Sequence, residues 1–398
     1  MRWPDGFLWG TGASSTQCEG AAPASDWWDW ERAGRAPISG DGNGFARRHA
    51  EDFAILAGLG LVHHRLSIEW ARVEPAAGVH DPAAVAHYRD VLTAAREAGI
   101  QPWVCLHHFT LPRWFADRGG FLVERNRAET WARHVDWMAG TFGDLVAGWQ
   151  PVNETNIHAR IAYEGASYPP GLGDPTAWAP ATIAIHLATG EAAARLRQTG
   201  APVASIFALS DVVAHDDTPR TRAFVERFDA TDWAPWIGLV RDGVLRVPGH
   251  PPIERPDLAG SFDIVGFSYY STLGVRGGQI AVHPPGAPVS PLGHGIWADG
   301  LRLVIDRLHR ELPGTPLLVA EYGIGTSDDA VRADYLARGL AIANDAIARG
   351  VPLRGFFHWT AVDNYEWNHG YDVAFGIIDR ERNVRPSALV LEREARPA

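Results

Sequence analysis

The most constraining feature of this sequence is the alternation of short apolar segments with longer segments of helical periodicity. Eight apolar segments with strand character recur through the 398 residues. They are Phe7–Gly10, Leu61–Leu66, Pro102–His107, Gly148–Val152, Val203–Leu209, Phe262–Phe267, Pro316–Ala320 and Gly355–Trp359. Several begin after a turn that contains glycine and proline, such as TGAP before Val203, which is typical of a helix that ends where a strand follows.

The segments between the predicted strands carry helix signals. Asp81 can cap a helix that begins at Pro82, because its carboxylate accepts free N–H groups and proline suits the first turn. The predicted helices are Gly44–Gly58, Pro82–Ala98, Arg127–Phe142, Pro180–Gln198, Trp297–Glu311 and Asp329–Arg349. This alternation predicts an α/β fold, a (β/α)8 TIM barrel, with residues 1–398 as a single catalytic domain. An open doubly wound sheet is the alternative, but GTGASS matches its glycine-rich first turn poorly, because no clear helix follows.

Composition narrows the classes of function. All 36 basic residues are arginine, so Schiff-base aldolases, PLP enzymes and Walker-type phosphate loops, which need lysine, are excluded. Cys18 and Cys105 are the only cysteines, too few for a disulfide scaffold or a cysteine-rich zinc site. A net charge of −11 argues against a nucleic-acid partner. We see no secretory signal and no membrane-spanning run, and we expect a cytoplasmic protein without a membrane partner.

Polar side chains follow the predicted strands at the end where a barrel places its chemistry. Glu154 and Glu321 end the fourth and seventh strands, and Asn153 precedes Glu154. Other polar or aromatic residues at these ends are Gln17, Arg65, His107, His108, Ser268, Tyr270, Trp359, Glu366 and Trp367. Either glutamate alone could form a salt bridge or a helix cap. Two of them at facing strand ends, with an asparagine beside one, favour a catalytic pair.

Paired carboxyl groups suit cleavage of a glycosidic bond. One carboxylic acid protonates the leaving oxygen, and the other, as carboxylate, traps or stabilises the oxocarbenium-like centre. The two pKa values must differ, which burial and like charge achieve for one group and a nearby cation for the other. Arg65 is a candidate cation for the nucleophile, and the Tyr270 O–H is a candidate hydrogen-bond donor to it.

The histidines offer a weaker, metal-based alternative. His63–His64 and His107–His108 are adjacent pairs, and neighbouring residues of a strand point to opposite faces. Each pair therefore supplies one inward ligand, and no HExxH spacing is present. We expect no metal and no other cofactor, and we expect one residue of His107–His108 to contact a sugar hydroxyl.

Motifs at these positions resemble a known family almost end to end. They are FLWGTGASSTQCEG at Phe7–Gly20, RLSIEWARVEP at Arg65–Pro75, LHHFTLP at Leu106–Pro112, QPVNETN at Gln150–Asn156, DIVGFSYYS at Asp263–Ser271, VAEYGIG at Val319–Gly325, and the segment His358–Ala388. In this order and spacing they resemble glycoside hydrolase family 1, the β-glucosidase and β-galactosidase family of retaining (β/α)8 enzymes.

The resemblance implies a role for each matching residue. Glu154 would be the general acid/base, and Glu321 would be the nucleophile. Arg65 and Tyr270 would orient the nucleophile and keep it ionised. The residues that would hold the terminal sugar are Asn153 at the 2-hydroxyl, Gln17, His108, Glu366 and Trp367 at the other hydroxyls, Trp359 as stacking floor and Phe375 near the exocyclic carbon. His294 falls where an aromatic side chain commonly lines the leaving-group subsite.

Four further residues depart from the family pattern. Phe109 and Thr110 stand where tryptophan and aspartate are usual, and Ser268 and Tyr322 stand where asparagine is usual. None of these changes removes the carboxyl pair, so they bear on which leaving group is accepted.

The sequence thus predicts a retaining exo-β-glycosidase. Phospho-glycosidases of the family replace the residue at Glu366 and gain a lysine, whereas this chain keeps Glu366 and has no lysine. A carboxylate repels a phosphate, so we expect non-phosphorylated sugars, glucosides first, with galactosides and fucosides open. The alternatives are a transglycosidase that uses the same two carboxyl groups and, less favoured, a non-catalytic sugar-binding barrel.

Overall fold

Eight parallel strands close into a barrel in the computed structural model, which describes residues 3–396. The strands are β1 (Leu8–Gly12), β2 (His63–Ser67), β3 (Gln101–His107), β4 (Gly148–Val152), β5 (Phe207–Ala208), β6 (Val265–Tyr269), β7 (Leu317–Tyr322) and β8 (Leu353–Trp359). Their order in the sheet is β4-β3-β2-β1-β8-β7-β6-β5. A parallel bridge from Trp149 in β4 to Val203, four residues before β5, closes the sheet, so the predicted (β/α)8 barrel is confirmed.

A helix follows each strand and packs around the barrel. These helices are α1 (Phe45–Gly58), α2 (Pro82–Glu97), α3 (Ala132–Phe142), α4 (Trp178–Leu196), α5 (Ala234–Asp242), α6 (Gly300–Glu311), α7 (Asp329–Ala348) and α8 (Ala388–Ala395). The predicted cap of α2 is present, since the Asp81 side chain accepts hydrogen bonds from the backbone N–H groups of Ala83 and Ala84. Shorter helices are Ser15–Glu19, Asp26–Arg32, Trp70–Val73, Arg113–Ala116, Thr155–Ala159 and Pro219–Phe228.

Most strand residues are buried, and most of them are apolar because both faces of the barrel strands are covered, although β2 carries His63, His64 and Arg65. Inside the barrel, Trp103, Ile206, Leu318 and Phe357 form a small buried cluster. A larger cluster fills the layer between the barrel and its helices. The barrel interior is therefore a packed core.

Several features beyond the barrel were not predicted. A three-stranded sheet forms from Val212–Ala214, Leu273–Arg276 and Gln279–Val282, which follow β5 and β6. Two π-helical turns, Arg160–Glu164 and Asp229–Trp233, follow β4 and β5. Such turns shift the helical register and occur often at functional sites.

Candidate active site

A cavity of about 600 Å³ opens at the carboxyl ends of the barrel strands. Every residue of the predicted site except Arg65 lines it, namely Gln17, His108, Asn153, Glu154, Tyr270, His294, Glu321, Trp359, Glu366, Trp367 and Phe375. The structure thus brings together residues that are spread over most of the chain.

Glu321, near the end of β7, is held by two donors. Arg65 Nη1 lies 2.6 Å from Glu321 Oε1, and the Tyr270 hydroxyl donates to Glu321 Oε2 at 2.6 Å. Burial raises the pKa of Glu321, and the Arg65 charge and the Tyr270 hydrogen bond oppose that rise. Both oxygens of this carboxylate are therefore stabilised in the ionised form.

Arg65 connects Glu321 with the end of β4. It is fully buried, and its Nη2 donates to Asn153 Oδ1. Asn153 is further fixed by its backbone N–H, which donates to the His107 carbonyl at 2.8 Å, and its Nδ2 lies 3.4 Å from His108 Nε2. One guanidinium therefore sets the position of both strand ends that carry the glutamates.

Glu154 has a different environment. Its backbone is left-handed, with φ of 45°, an uncommon and strained conformation for a residue other than glycine that clusters at functional sites. The Ser268 hydroxyl donates to Glu154 Oε1. Burial, followed by the charge of Glu321, raises the pKa of Glu154, and the Ser268 hydrogen bond opposes the rise only in part.

The pKa values of the two glutamates depend on each other, because the negative charge of Glu321 helps to raise the pKa of Glu154. A cation and a phenol stabilise the anion of Glu321, whereas Glu154 has one hydroxyl donor and feels the negative charge of Glu321. A proton is therefore more stable on Glu154 than on Glu321. One ionised and one protonated carboxyl group in the same cavity is the arrangement that acid-assisted nucleophilic substitution needs.

Gln17 and Glu366 form a polar corner of the cavity. Gln17 Nε2 donates to Glu366 Oε2 at 3.2 Å, and the Ser14 hydroxyl donates to Gln17 Oε1 at 2.7 Å. Burial, followed by the negative charge of Glu321, raises the pKa of Glu366 to about 8. An amide and a carboxyl group side by side can donate to and accept from neighbouring hydroxyls of one ligand.

Aromatic rings supply the apolar surface. The His108 ring is parallel to that of Trp359 at 5.8 Å and to that of Trp367 at 6.0 Å. Burial holds the pKa of His108 well below its usual value, so this imidazole is neutral. Phe375 packs edge-on against Tyr270 at 5.9 Å. Such faces suit the C–H surface of a sugar ring.

The structure shows which of the neighbouring residues His107 and His108 faces the cavity, and where Tyr322 points. His107 points away from the cavity, where its Nε2 lies 3.3 Å from His158 Nδ1, whereas His108 lines the cavity. Tyr322 also points away and stacks on Tyr335 at 4.6 Å. Successive side chains of an extended segment point to opposite sides, so His107 lies opposite His108 and Tyr322 lies opposite Glu321.

The other departures from the family pattern have defined contacts. Thr110 is buried and donates a hydrogen bond to Glu69, outside the cavity. Phe109 lines the cavity and contacts Trp367 edge-on at 5.7 Å. His294 lines it as well. Ser268 contacts Glu154 directly and so acts on the carboxyl pair.

The outer part of the cavity contains residues that sequence reasoning missed. They are Ile157, Arg160, Ile161, Tyr168, Phe228, Asp232, Leu273, Ile280 and Leu292. Most of them come from segments between the strands, and no motif or periodicity marked them. Arg160 and Asp232, 72 residues apart, meet at 2.8 Å.

Within residues 3–396, no three His, Cys, Asp or Glu side chains are grouped so that they could hold a metal ion. Over the same residues, no helix combines the length and hydrophobicity that crossing a membrane requires.

Comparison with known proteins agrees with this geometry. The sequence profile of glycosyl hydrolase family 1 matches residues 1–233 and 251–395. The thermostable β-glucosidase B of Thermobispora bispora is 31% identical, with 93% of this chain and 85% of that protein aligned. A bifunctional β-D-glucosidase/β-D-fucosidase of Bifidobacterium breve is 30% identical over 97% and 95% of the two chains.

A solved structure gives the same assignment. The β-glycosidase from Pyrococcus horikoshii superposes with a TM-score of 0.90 at 27% identity, covering 99% of this chain and 95% of that one. The profile covers most of the chain, and the fold matches from end to end. The chain therefore belongs to glycosyl hydrolase family 1 and is a glycoside hydrolase.

Proposed function

We propose that this chain is a retaining exo-β-glycosidase that acts on terminal, non-phosphorylated β-D-glycosides, with residues 1–398 as one catalytic domain. The unequal environments of the two glutamates carry the proposal. Arg65 and Tyr270 hold Glu321 as an anion, and burial beside that anion keeps Glu154 protonated.

The two groups act in sequence. The Glu321 carboxylate attacks the anomeric carbon while Glu154 gives its proton to the departing oxygen, so the glycosidic bond breaks and a glycosyl ester forms. Glu154, now ionised, takes a proton from water, and the hydroxide attacks the anomeric carbon from the face that the leaving group vacated. The ester bond breaks, Glu321 is regenerated, and a β-sugar leaves. We expect the carboxyl groups to lie about 5–5.5 Å apart, as double displacement requires.

The polar corner formed by Gln17 and Glu366 favours a substrate whose terminal sugar is uncharged. Glu366 can accept from adjacent 4- and 6-hydroxyls and Gln17 can donate to them, in either configuration at C4. A phosphate at the 6-position would meet a glutamate and, in this lysine-free chain, no lysine. Glucosides are our first expectation, and fucosides are consistent with the activity named for the Bifidobacterium breve relative.

Transfer to an acceptor alcohol is the second candidate. It shares the glycosyl ester and differs only in which molecule takes the sugar, and the apolar outer cavity gives an acceptor a place to bind. Product analysis with added alcohol separates the two outcomes. A non-catalytic sugar-binding barrel is disfavoured, because both glutamates and the groups that set their ionisation are present.

A panel of p-nitrophenyl β-D-glycosides tests the proposal. We expect turnover of the glucoside. The rates on the galactoside, fucoside, mannoside and xyloside then rank the preference for the terminal sugar. NMR should show that the β-anomer of the released sugar forms first. An α-anomer formed first would contradict the role of Glu321. The expected cytoplasmic location stays a prediction, and fractionation of the native cells would test it.

A further inference from the structure

The outer part of the cavity differs in chemistry from the part around the glutamates. Its walls include Ile157, Ile161, Phe228, Leu273, Ile280 and Leu292. All but Ile280 are half-buried, and Ile280 is 63% exposed on the edge strand of the three-stranded sheet. Apolar side chains left accessible around a cavity mark a surface that a ligand can cover.

Charge in this outer part is compensated within the protein. Arg160 Nη2 lies 2.8 Å from Asp232 Oδ2, and these two are the charged residues that line the cavity away from the three glutamates, among residues 3–396. An ion pair of this kind offers a ligand little net charge. The site therefore suits an uncharged group.

Two polar side chains of this outer part already have protein partners. Ser210 Oγ donates to the Ser271 carbonyl at 2.8 Å, and Asn368 Nδ2 donates to the Ser167 carbonyl at 3.1 Å. A second sugar would have to find partners for several hydroxyls, and each hydroxyl buried without a partner weakens binding. An apolar group has no such requirement and gains from burial.

The π-helical turn Arg160–Glu164 and the residue before the turn Asp229–Trp233 contribute to these walls. Ile161 belongs to the turn Arg160–Glu164, and Phe228 directly precedes the turn Asp229–Trp233. The Arg160–Asp232 pair joins the two turns. The apolar walls therefore come from segments that are fixed to each other, which favours a preformed site.

We propose that the outer cavity selects β-glycosides whose aglycone is an uncharged apolar group, an aryl ring or an alkyl chain, with Phe228 and Ile280 as specificity-determining residues. This inference rests on the proposed function, because the aglycone departs from the sugar bound beside Glu154.

A series of n-alkyl β-D-glucosides tests the proposal, since methyl to octyl alcohols are similar leaving groups and differ in apolar length. We expect kcat/KM to rise at least about tenfold from methyl to octyl, because each buried CH₂ stabilises the complex. The kcat/KM for octyl glucoside should also exceed the kcat/KM for cellobiose. A flat series, or a preference for cellobiose, would overturn the proposal.

Variants locate the effect. Phe228→Ala should lower the octyl-to-methyl ratio of kcat/KM about tenfold, and Ile280→Ser about threefold. The exposed position of Ile280 keeps the second variant informative if Phe228→Ala fails to fold. Leu389→Ser is the matched control, an apolar residue that is 47% exposed on α8, and it should leave the ratio unchanged. An octyl-to-methyl ratio that is unchanged in both cavity variants, or that falls equally in Leu389→Ser, would contradict the assignment of Phe228 and Ile280.

β-D-glucosyl fluoride separates this inference from the proposed function. Its leaving group is a fluoride ion, which does not reach the apolar walls. Turnover of the fluoride together with a flat alkyl series overturns only the aglycone proposal. No turnover of any glucoside, the fluoride included, overturns both proposals.

Discussion

The inner and outer parts of the cavity show two ways of building a site. In the inner part, buried polar groups near the strand ends hold one another at set distances, as in the contact of 2.6 Å between Arg65 and Glu321. In the outer part, half-exposed apolar residues stand on segments between the strands. Under the proposed function, the inner part fixes proton positions and hence the reaction, whereas the outer part sets which leaving group can reach it. Substitutions in the two parts should therefore differ in kind as well as in size.

The largest effect is expected from the nucleophile. Glu321→Ala should lower kcat about 10⁴-fold or more for every aglycone, because no carboxylate remains to form the ester. Added azide should restore turnover and yield the α-glycosyl azide, which NMR identifies. Rescue that gives a β-product, or full activity without azide, would be inconsistent with the role of Glu321.

The acid should show a loss that depends on the leaving group. Glu154→Ala should lower kcat/KM about 10²- to 10⁴-fold for alkyl glucosides, whose alkoxides need a proton, and far less for 2,4-dinitrophenyl glucoside. Steady-state kinetics on both substrates measures the difference. Equal losses would show that Glu154 does not protonate the leaving group.

Arg65 should set the acid limb of the pH profile. In Arg65→Gln the cation beside Glu321 is lost, so the pKa of Glu321 rises and the acid limb of kcat/KM moves to higher pH, by about one unit or more. The change should appear with every aglycone, unlike the changes at Phe228.

Arg382→Gln is the control for a buried ion pair, since Arg382 contacts Asp52 at 2.6 Å away from the cavity. It should lower the melting temperature, because it leaves a buried charge without a partner, and leave both pH limbs in place. An unmoved acid limb in Arg65→Gln, or an equal shift in the control, would contradict the electrostatic role of Arg65.

Ser268 should give the smallest effect. Its hydroxyl donates to Glu154 and opposes the rise in the pKa of that group. Ser268→Ala should therefore raise the pKa of Glu154, so that the acid stays protonated to higher pH and the basic limb moves upward by less than about one unit. A downward move of the basic limb in pH–rate measurements would reverse this assignment.

The same contrast explains what the sequence could predict. Strand ends are local features, so Glu154 and Glu321 could be placed at one end of the barrel from the points where apolar runs stop. β5 was predicted over 203–209, but its ladder is confined to Phe207–Ala208. Val203 makes a single bridge to Trp149 across the closing seam and Ala204 makes one to Ile264 on the other side, and such pairing cannot be read from one segment alone.

The outer cavity could not be predicted for a physical reason. Arg160 and Asp232 meet across 72 residues, and Phe228 reaches the cavity through a helix and a π-helical turn that carry no motif. Their proximity depends on how the segments between strands pack, which local periodicity does not encode. The roles assigned by resemblance to Gln17 and Glu366 stay predictions that the sugar panel can rank.

The most direct test is to trap the glycosyl ester. 2-Deoxy-2-fluoro-β-D-glucosyl fluoride should form the ester quickly and release it slowly, because fluorine at C2 destabilises the oxocarbenium-like centre and fluoride is a good leaving group. Peptide mass spectrometry should then place a single 2-fluoroglucosyl group on Glu321, with no label in Glu321→Ala. A label on Glu154, or hydrolysis without any covalent adduct, would contradict the division of roles between the two glutamates.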